Sequence, residues 1–233
     1  MADIEAMLKS LQALHPRVID LSLGRIEHLL ERLGRPQDRL PPVIHVAGTN
    51  GKGSTIAFLR AILEAAGHSV HVYTSPHLVR FNERIRLGAP GAGQLVDDNA
   101  LAQAISHIQT VNDGEAVTYF EATTAVALHL FAENPADYCL LEVGLGGRFD
   151  ATNVIDAPLA AVISTVSHDH AEFLGEDLTG IAAEKAGILK SGRPGIIGPQ
   201  DEFAMAMIAL EAGAAGAELF KYGEEWMASG ERG

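Results

Sequence analysis

The sequence predicts an α/β fold, with a mostly parallel sheet and helices on both faces. Three observations support this prediction. Short apolar runs recur along the chain, and they do not alternate with polar residues, which is typical of strands buried on both faces. Segments with helical spacing of apolar residues stand between these runs. A glycine-rich stretch joins the first apolar run to the helical segment after it, as in a strand–loop–helix unit.

The predicted elements alternate along the chain. Two amphipathic segments come first, and the second covers residues 20–34 and ends at a glycine. A strand over 43–47, a helix that ends at Gly67 and a strand over 69–74 form the first unit. Later residues add predicted helices over 97–111 and 119–133, and predicted strands over 137–143, 159–166 and 193–198. Residues 87–98 are the most loop-like stretch.

Composition and charge exclude several classes of function. The net charge is −13, with 30 acidic and 17 basic residues, which argues against nucleic acid or an anionic membrane as the main partner. No apolar run reaches the roughly 20 residues of a membrane span, and the first ten residues do not resemble a signal peptide. The single cysteine, Cys139, lies in an apolar run. We therefore expect a reducing, cytoplasmic location.

Residues 45–54, HVAGTNGKGS, indicate a phosphate-binding loop in an unusual form. The common pattern places a hydroxyl residue directly after the lysine, where it binds magnesium. Here Gly53 separates Lys52 from Ser54, and Val46 replaces the first glycine. Strand, glycine-rich turn and helix N-terminus together favour anion binding over an ordinary turn. The predicted nucleotide-binding residues are Thr49, Asn50, Gly51, Lys52, Gly53 and Ser54.

Polar residues follow three predicted strands, at the edge where parallel sheets bind ligands. Ser75 follows the strand over 69–74, although Ser-Pro alone indicates only a turn. Glu142 ends the strand over 137–143, a position typical of a magnesium-binding carboxylate. Asp169 and His170 come just after the strand over 159–166. Because three oxygen or nitrogen ligands occur at strand ends, we expect them to converge on a metal site.

Three arginines, Arg80, Arg84 and Arg86, fall within the stretch VRFNERIRL. Charge alone favours a solvated segment. In an acidic protein, however, such a concentration of cations can also receive an anionic ligand.

Six stretches in chain order resemble the dihydrofolate synthase/folylpolyglutamate synthase family of the Mur ligase superfamily. They are GTNGKGS, TSPHL, RFNER, FEATTA, EVGLGGRFDATN, and DH followed by EKAGI, and the resemblance covers about residues 20 to 195. It implies a P-loop NTPase-like central domain that binds ATP. It also implies the Gly-Lys-Gly-Ser form of the loop, with magnesium held mainly from outside it.

The resemblance also implies site residues. It gives the metal ligands as Ser75, Glu142 and His170, for two magnesium ions. The implied catalytic residues are Lys52, Glu142, His170 and a carbamylated Lys185, which the residues alone would place on a solvated helix face. The implied pterin site consists of Thr118, Tyr119, Phe120, Glu121, Arg148, Phe149, Asp150 and Ala151.

The implied activity is ATP-dependent addition of L-glutamate to dihydropteroate or a reduced folate through an acyl phosphate. The TYFE form resembles bacterial members with both activities. Three alternatives stay open: a muramyl-peptide ligase, a P-loop GTPase or kinase, and a nucleotide-binding module without catalysis. The sequence contains no N-K-x-D tetrapeptide of the kind that recognises guanine.

For the domain organisation, we expect residues 1–233 to be one ATP-binding domain with N-terminal helices in 1–40. The last stretch begins as a strand and contains no predicted closing helix. The resemblance implies a further glutamate ligase domain, which these residues lack. We therefore expect the chain to be inactive alone and the full-length protein to be a monomer.

Overall fold

A single mixed sheet organises the computed structural model, which describes residues 3–15, 20, 22–168 and 177–228. Its strands are β1 (Val43–Ala47), β2 (Val70–Tyr73), β3 (Ile85–Leu87), β4 (Gln94–Leu95), β5 (Tyr138–Glu142), β6 (Ala160–Ile163), β7 (Pro194–Ile197) and β8 (Glu218–Lys221). Its helices are α1 (Ile4–Gln12), α2 (Gly24–Arg32), α3 (Lys52–Ala65), α4 (Asp98–Asn112), α5 (Tyr119–Glu133), α6 (Leu178–Ala186) and α7 (Glu202–Ala215). Short 3₁₀ turns cover Pro36–Arg39, Phe81–Arg84 and Ala151–Val154.

The strand order is β4-β3-β2-β5-β1-β6-β7-β8. The strands from β2 to β8 in this order pair in parallel, whereas β3 and β4 are antiparallel at one edge. β1 lies between β5 and β6, so both its edges are hydrogen-bonded. The predicted fold class, a mostly parallel sheet with helices on both faces, is confirmed.

The two faces of the sheet are covered unequally. On one face, α1, α2, α4 and α5 pack against Val43, Tyr73 and Leu141, and α6 and α7 continue this layer over Ile163 and Ile197. On the other face, α3 is the one helix in the described part of the chain, and its Ile56 packs against the central strands. The strands β2 and β5 are thus almost wholly buried, whereas β6 and β7 alternate between buried and half-buried residues, because α3 does not cover that end of the sheet.

Side chains cap the N-termini of α4 and α5. Asp97 caps α4 by accepting from two backbone N–H groups. Thr118 and Glu121 form a reciprocal capping box at the start of α5. The predicted helices over 97–111 and 119–133 agree with α4 and α5 within one residue. Within the ranges that the structure describes, no helix combines the length and apolarity that crossing a bilayer requires.

The stretch predicted to be most loop-like, residues 87–98, contains part of the sheet. Leu87 ends β3, and Gln94–Leu95 forms β4, which pairs with β3 in the antiparallel sense. A strand of two residues is too short to show any periodicity, and three glycines and a proline lie between the paired segments. The hairpin was therefore invisible in the sequence pattern.

Candidate active site

A tight glycine-rich loop connects β1 to α3. Gly48 has φ 141° and Gly51 has φ 87°, both in the region that favours glycine. A Cβ atom added at Gly48 would lie 1.9 Å from Oγ of Ser164, at the end of β6. The path of the loop therefore needs glycine at this position for both conformational and steric reasons.

The first half of the loop is fastened to the residues that follow β6. The backbone N–H groups of Thr49 and Asn50 donate to the carbonyl of Thr165, at 2.9 and 3.3 Å. The Thr49 hydroxyl donates to the carbonyl of Ser167 at 3.0 Å. The second half forms the start of α3, where the first N–H groups have no partner within the helix. These amides, together with the helix dipole, form an anion-binding cradle.

Two lysine ammonium groups converge on this cradle. Nζ of Lys52 donates to the carbonyls of Gly48 (3.0 Å) and Thr49 (3.3 Å). Nζ of Lys185, from α6, donates to the same Gly48 carbonyl at 3.2 Å. Lys185 is buried, so the interpretation of this residue as a solvated helix lysine was wrong. It occupies the same helix face as Ile181, four residues earlier, which is also buried.

Glu142 lies beside the first turn of α3. A Cβ atom added at Gly53 would be 3.9 Å from its Oε2. Burial raises the pKa of Glu142, whereas the charge of Lys52 and a hydrogen bond from the backbone N–H of Ser75 act in the opposite direction. The structure thus brings Ser75, Glu142 and Lys52 together, as the sequence predicted. Asp169 and His170 lie outside the described residues.

The donor set at this point suits a hard divalent cation. The carboxylate of Glu142 and the hydroxyl of Ser75 are oxygen donors, which Mg²⁺ prefers in combination with substrate phosphates. Across the residues that the structure describes, no group of three or more His, Cys, Asp or Glu side chains is arranged to hold a metal. A cation held by Glu142 and Ser75 therefore needs further ligands from outside this set, as nucleotide phosphates provide.

A cavity of about 320 Å³ opens next to Ser75. Seven of the predicted pterin-site residues line it: Thr118, Tyr119, Phe120, Glu121, Phe149, Asp150 and Ala151. Ser75 and Pro76 form part of the same lining, and Ser75 also faces Glu142, so this end of the cavity is the one nearest the anion-binding cradle. Its walls are mostly apolar, which suits a flat aromatic ligand.

The aromatic walls come from two segments. Tyr119 and Phe120 start α5, and Phe120 lies so close to Gly144 that an added Cβ there would be 2.4 Å from its Cζ atom. Phe149, on the loop after β5, is 44% exposed. Its ring is thus available to a ligand that enters the cavity.

Two of the carboxylates in the lining are engaged by the protein itself. Glu121 accepts from the N–H of Thr118 (2.7 Å) and pairs with the guanidinium of Arg25 (3.0 and 3.1 Å). Asp150 accepts from the N–H of Leu145 (2.8 Å) and from both the N–H and the hydroxyl of Thr152 (2.9 and 2.6 Å). Both side chains therefore hold the cavity walls in place.

His45 extends the Asp150 network to β1. Its Nε2 lies 2.8 Å from the Thr152 hydroxyl, which donates to Asp150. Nε2 therefore carries the proton and donates to Thr152. Burial, with a smaller effect from the charge of Lys190, lowers the pKa of His45 to about 3, so the ring is neutral. The residue lies at the centre of β1, three positions before Gly48, which directly follows the strand.

Arg148 is not brought into the cavity. Its guanidinium pairs with Glu211 of α7 at 2.7 Å and with Glu184 of α6 at 3.8 Å. It also donates to the carbonyl of Ala183. In this position Arg148 attaches the loop after β5 to the two helices on that face, and it does not line the pterin-sized cavity.

The arginine cluster is split by the fold. Arg80 pairs with both carboxylate oxygens of Asp98 on the surface. Arg86 turns to the hairpin, where it donates to the carbonyl of Gly93. Arg84 lines the cavity. The cluster is thus neither wholly solvated nor wholly a ligand site.

Sequence reasoning missed several residues of the site. Asp20 and Leu145 line the cavity, and Arg25 holds Glu121. His45 and Thr152 support the wall from behind. An isolated acidic residue before a helix carries no distinguishing signal, whereas a histidine inside an apolar strand, as at His45, is a buried polar residue that could have been flagged.

Comparison with known proteins identifies the family. Residues 46–231 match the family model described as the Mur ligase middle domain. The dihydrofolate synthase/folylpolyglutamate synthase of Escherichia coli is 43% identical over 224 residues, which cover 96% of this chain and 51% of that protein. That of Haemophilus influenzae is 46% identical over 82% of this chain and 42% of its own length. The chain spans about half the length of the curated relatives it matches.

Solved structures agree in fold. E. coli FolC in complex with DHPP and ADP has a TM-score of 0.91 and 41% identity, over 99% of this chain and 54% of that one. A bifunctional folylpolyglutamate synthase/dihydrofolate synthase with Mn, AMPPNP and L-glutamate bound has a TM-score of 0.88 and 38% identity, over 99% and 54%. The resemblance seen in the motifs is confirmed, and the chain belongs to the Mur ligase middle-domain family.

Proposed function

We propose that this chain provides the nucleotide and pterin sites of an ATP-dependent ligase that adds L-glutamate to dihydropteroate, to a reduced folate, or to both. The observation that carries this proposal is the shared position of Ser75. Its backbone N–H faces the carboxylate of Glu142 beside the phosphate cradle, and the residue also lines the aromatic cavity. A carboxylate at that end of the cavity would meet the terminal phosphate of a nucleotide in the cradle.

This arrangement suits activation of a carboxylate. A carboxylate oxygen attacks the γ-phosphorus of ATP, ADP leaves, and an acyl phosphate forms. The amino group of glutamate then attacks the carbonyl carbon, phosphate leaves, and the amide is complete after loss of a proton. Lys52 and the amides at the start of α3 offset the charge on the transferred group.

Divalent metal belongs to the same proposal, because a relative was solved with Mn and AMPPNP. Ser75, Glu142 and the predicted ligand His170 would hold such a cation, which would supply positive charge to the phosphate oxygens. We further propose two ions and a carbamylated Lys185. The buried position of Lys185 against the Gly48 carbonyl supports a role at the cradle, and ¹³C NMR after addition of ¹³C-bicarbonate would detect the carbamate.

The residue roles follow from this proposal. Thr49, Asn50, Gly51, Gly53 and Ser54 would surround the phosphates, and Tyr119, Phe120 and Phe149 would contact the pterin. Thr118, Glu121, Asp150 and Ala151 would shape the slot. Arg148 is left out of the pterin-binding set because it pairs with Glu211 and Glu184.

A turnover assay with dihydropteroate, L-glutamate and MgATP tests the division of the activity. We propose that the 233 residues bind nucleotide and dihydropteroate but form dihydrofolate far more slowly than full-length relatives. Turnover at the rate of those relatives would contradict this division. Monomeric state and cytoplasmic location stay predictions.

The family match also covers muramyl-peptide ligases as a class. Binding of two different ligands can distinguish a folate substrate from a muramyl-peptide substrate. Titration with dihydropteroate and, separately, with a uridine-diphosphate-linked muramyl compound should show binding of the pterin alone. Binding of the uridine nucleotide in its place would overturn the folate assignment. Nucleotide binding without either partner would support a module without catalysis.

A further inference from the structure

The acidic side chains that line the cavity have partners within the protein, whereas its arginine has no carboxylate partner among the described residues. Its acidic residues are Asp20, Glu121 and Asp150. Arg25 contacts the first two, and loop amides with the Thr152 hydroxyl satisfy the third. Within the described residues, Arg84 is the one cation of the lining, and no carboxylate there pairs with it.

Arg84 is held in place by neutral contacts. Its Nε donates to Nδ1 of His77 at 2.9 Å, and its guanidinium carbon lies 5.4 Å from the centre of the Phe81 ring. Burial, and then the charge of Arg84 itself, lower the pKa of His77, which keeps the ring an acceptor. These contacts use Nε and one face of the group. The two terminal nitrogens have no acceptor among the described residues.

The position of Arg84 along the cavity is fixed by β2. The N–H of Thr74 donates to the carbonyl of Arg84 at 3.0 Å, which places Arg84 opposite the residue before Ser75. The backbone N–H of Ser75 in turn faces Glu142 beside the cradle. Arg84 therefore lies at the end of the cavity that is nearest the cradle. Arg80, in contrast, pairs with Asp98 on the surface.

We propose that Arg84 binds the substrate carboxylate that is to be activated and holds it against the nucleotide. This inference rests on the proposed function. A planar guanidinium offers two parallel donors to a carboxylate, a geometry that a lysine cannot reproduce. Its charge also offsets the repulsion between that carboxylate and the nucleotide phosphates. Arg84 would be a direct substrate contact, and His77 a residue that positions it.

Two ligands that differ in the carboxylate test this directly. One is dihydropteroate, and the other is its analogue in which hydrogen replaces the benzoate carboxylate. Pterin fluorescence reports the affinity of each ligand for the wild-type chain and for Arg84→Gln. We expect Arg84→Gln to lower the affinity for dihydropteroate by about tenfold to a hundredfold, because a charge-assisted hydrogen-bonded contact is lost. The affinity for the analogue should change by less than about threefold.

Arg80→Gln is the matched control, because Arg80 lies four residues earlier but pairs with Asp98 outside the cavity. It should leave both affinities unchanged. If Arg84→Gln does not fold, as judged by near-ultraviolet circular dichroism, Arg84→Lys decides by the same comparison. The lysine keeps the charge but lacks the two parallel donors of the guanidinium. The affinity for dihydropteroate should therefore fall by a few fold, and the affinity for the analogue should not change.

Several outcomes would overturn the inference. An equal loss of affinity for dihydropteroate and for its analogue would show a structural role for Arg84. A loss of affinity for AMPPNP, with the affinity for dihydropteroate unchanged, would assign Arg84 to the nucleotide phosphates. Unchanged dihydropteroate affinity in Arg84→Gln would also reject it, with the proposed function intact. Failure of the wild-type chain to bind dihydropteroate would instead remove the proposed function, and this inference with it.

Discussion

The phosphate cradle and the aromatic cavity lie side by side but are built differently. The cradle is backbone: two glycines with positive φ, carbonyls that face two lysines, and the first amides of α3. The cavity wall is made of side chains whose position depends on buried hydrogen bonds through Glu121 and Asp150. We therefore expect the cradle to be sensitive to added atoms and the cavity wall to be sensitive to lost polar partners.

The largest effect should come from Gly48→Ala. The added methyl collides with Oγ of Ser164, and alanine at φ 141° is strained. Overpacking and backbone strain together predict a loss of about 4 kcal/mol in the free energy of unfolding. Urea denaturation measures this loss, and titration with AMPPNP should show a drop in affinity of more than about a hundredfold.

Gly48→Ala combined with Ser164→Ala separates the two causes. The double variant removes the atom that the methyl strikes, so it should recover part of the stability while backbone strain persists. If the single variant binds AMPPNP as the wild type does, the cradle is less dependent on its glycine than the comparison claims.

A smaller effect should follow from acid, through the network behind the cavity wall. The folded pKa of His45, about 3, lies below the unfolded value of 6.5, so the unfolded chain binds more protons between these values. Stability from this group is therefore complete above pH 6.5 and is lost as the pH falls toward 3. One such group contributes a slope of about 1.4 kcal/mol per pH unit, or about 2.5 kcal/mol from pH 6 to 4.

Urea denaturation across this pH range, compared with His45→Gln, isolates the contribution. The variant keeps a side-chain N–H that can donate to Thr152 but has no titrating ring, so its slope should be shallower. The pKa of buried His71 is also lowered, but His71 is present in both proteins, so its contribution to the slope cancels in the comparison. Identical slopes would show that His45 is protonated without cost in the folded state.

The smallest of these effects should come from Thr152→Val. The valine keeps the shape but removes a hydroxyl that donates to Asp150 and accepts from His45. Unmade buried hydrogen bonds predict a loss of about 2 kcal/mol in unfolding free energy. Dihydropteroate affinity should fall more than AMPPNP affinity, since the network supports the cavity wall.

Thr152→Ser is the matched control, because it keeps the hydroxyl and loses only a methyl group. It should retain most of the stability and most of the preference between the two ligands. An equal loss of both affinities in Thr152→Val would erase the distinction between cradle and wall.

Much of the site was visible in the sequence because it depends on strand ends. The apolar runs that became β1, β2 and β5 fixed where Lys52, Ser75 and Glu142 would come together. Such convergence follows from parallel pairing alone.

The rest depends on tertiary contacts that have no local pattern. Arg84 lies in a 3₁₀ turn, where no helical or strand period shows which of three nearby arginines faces inward. Arg148 was expected at the pterin site, but acidic residues on α6 and α7, distant in the sequence, hold it. Lys185 did carry a signal, since its spacing from Ile181 places both on one helix face.

Strand β1 gives the two sites a common support. Hydrogen bonds from β5 and β6 hold both its edges; His45 lies at its centre, and Gly48 directly follows its last residue. We therefore expect a ligand that shifts Gly48 in the cradle and a ligand that shifts the loop at Asp150 both to act on this one strand. If binding in the cradle changes the affinity of the cavity for its ligand, thermodynamic reciprocity requires the cavity ligand to change the affinity of the cradle by the same factor.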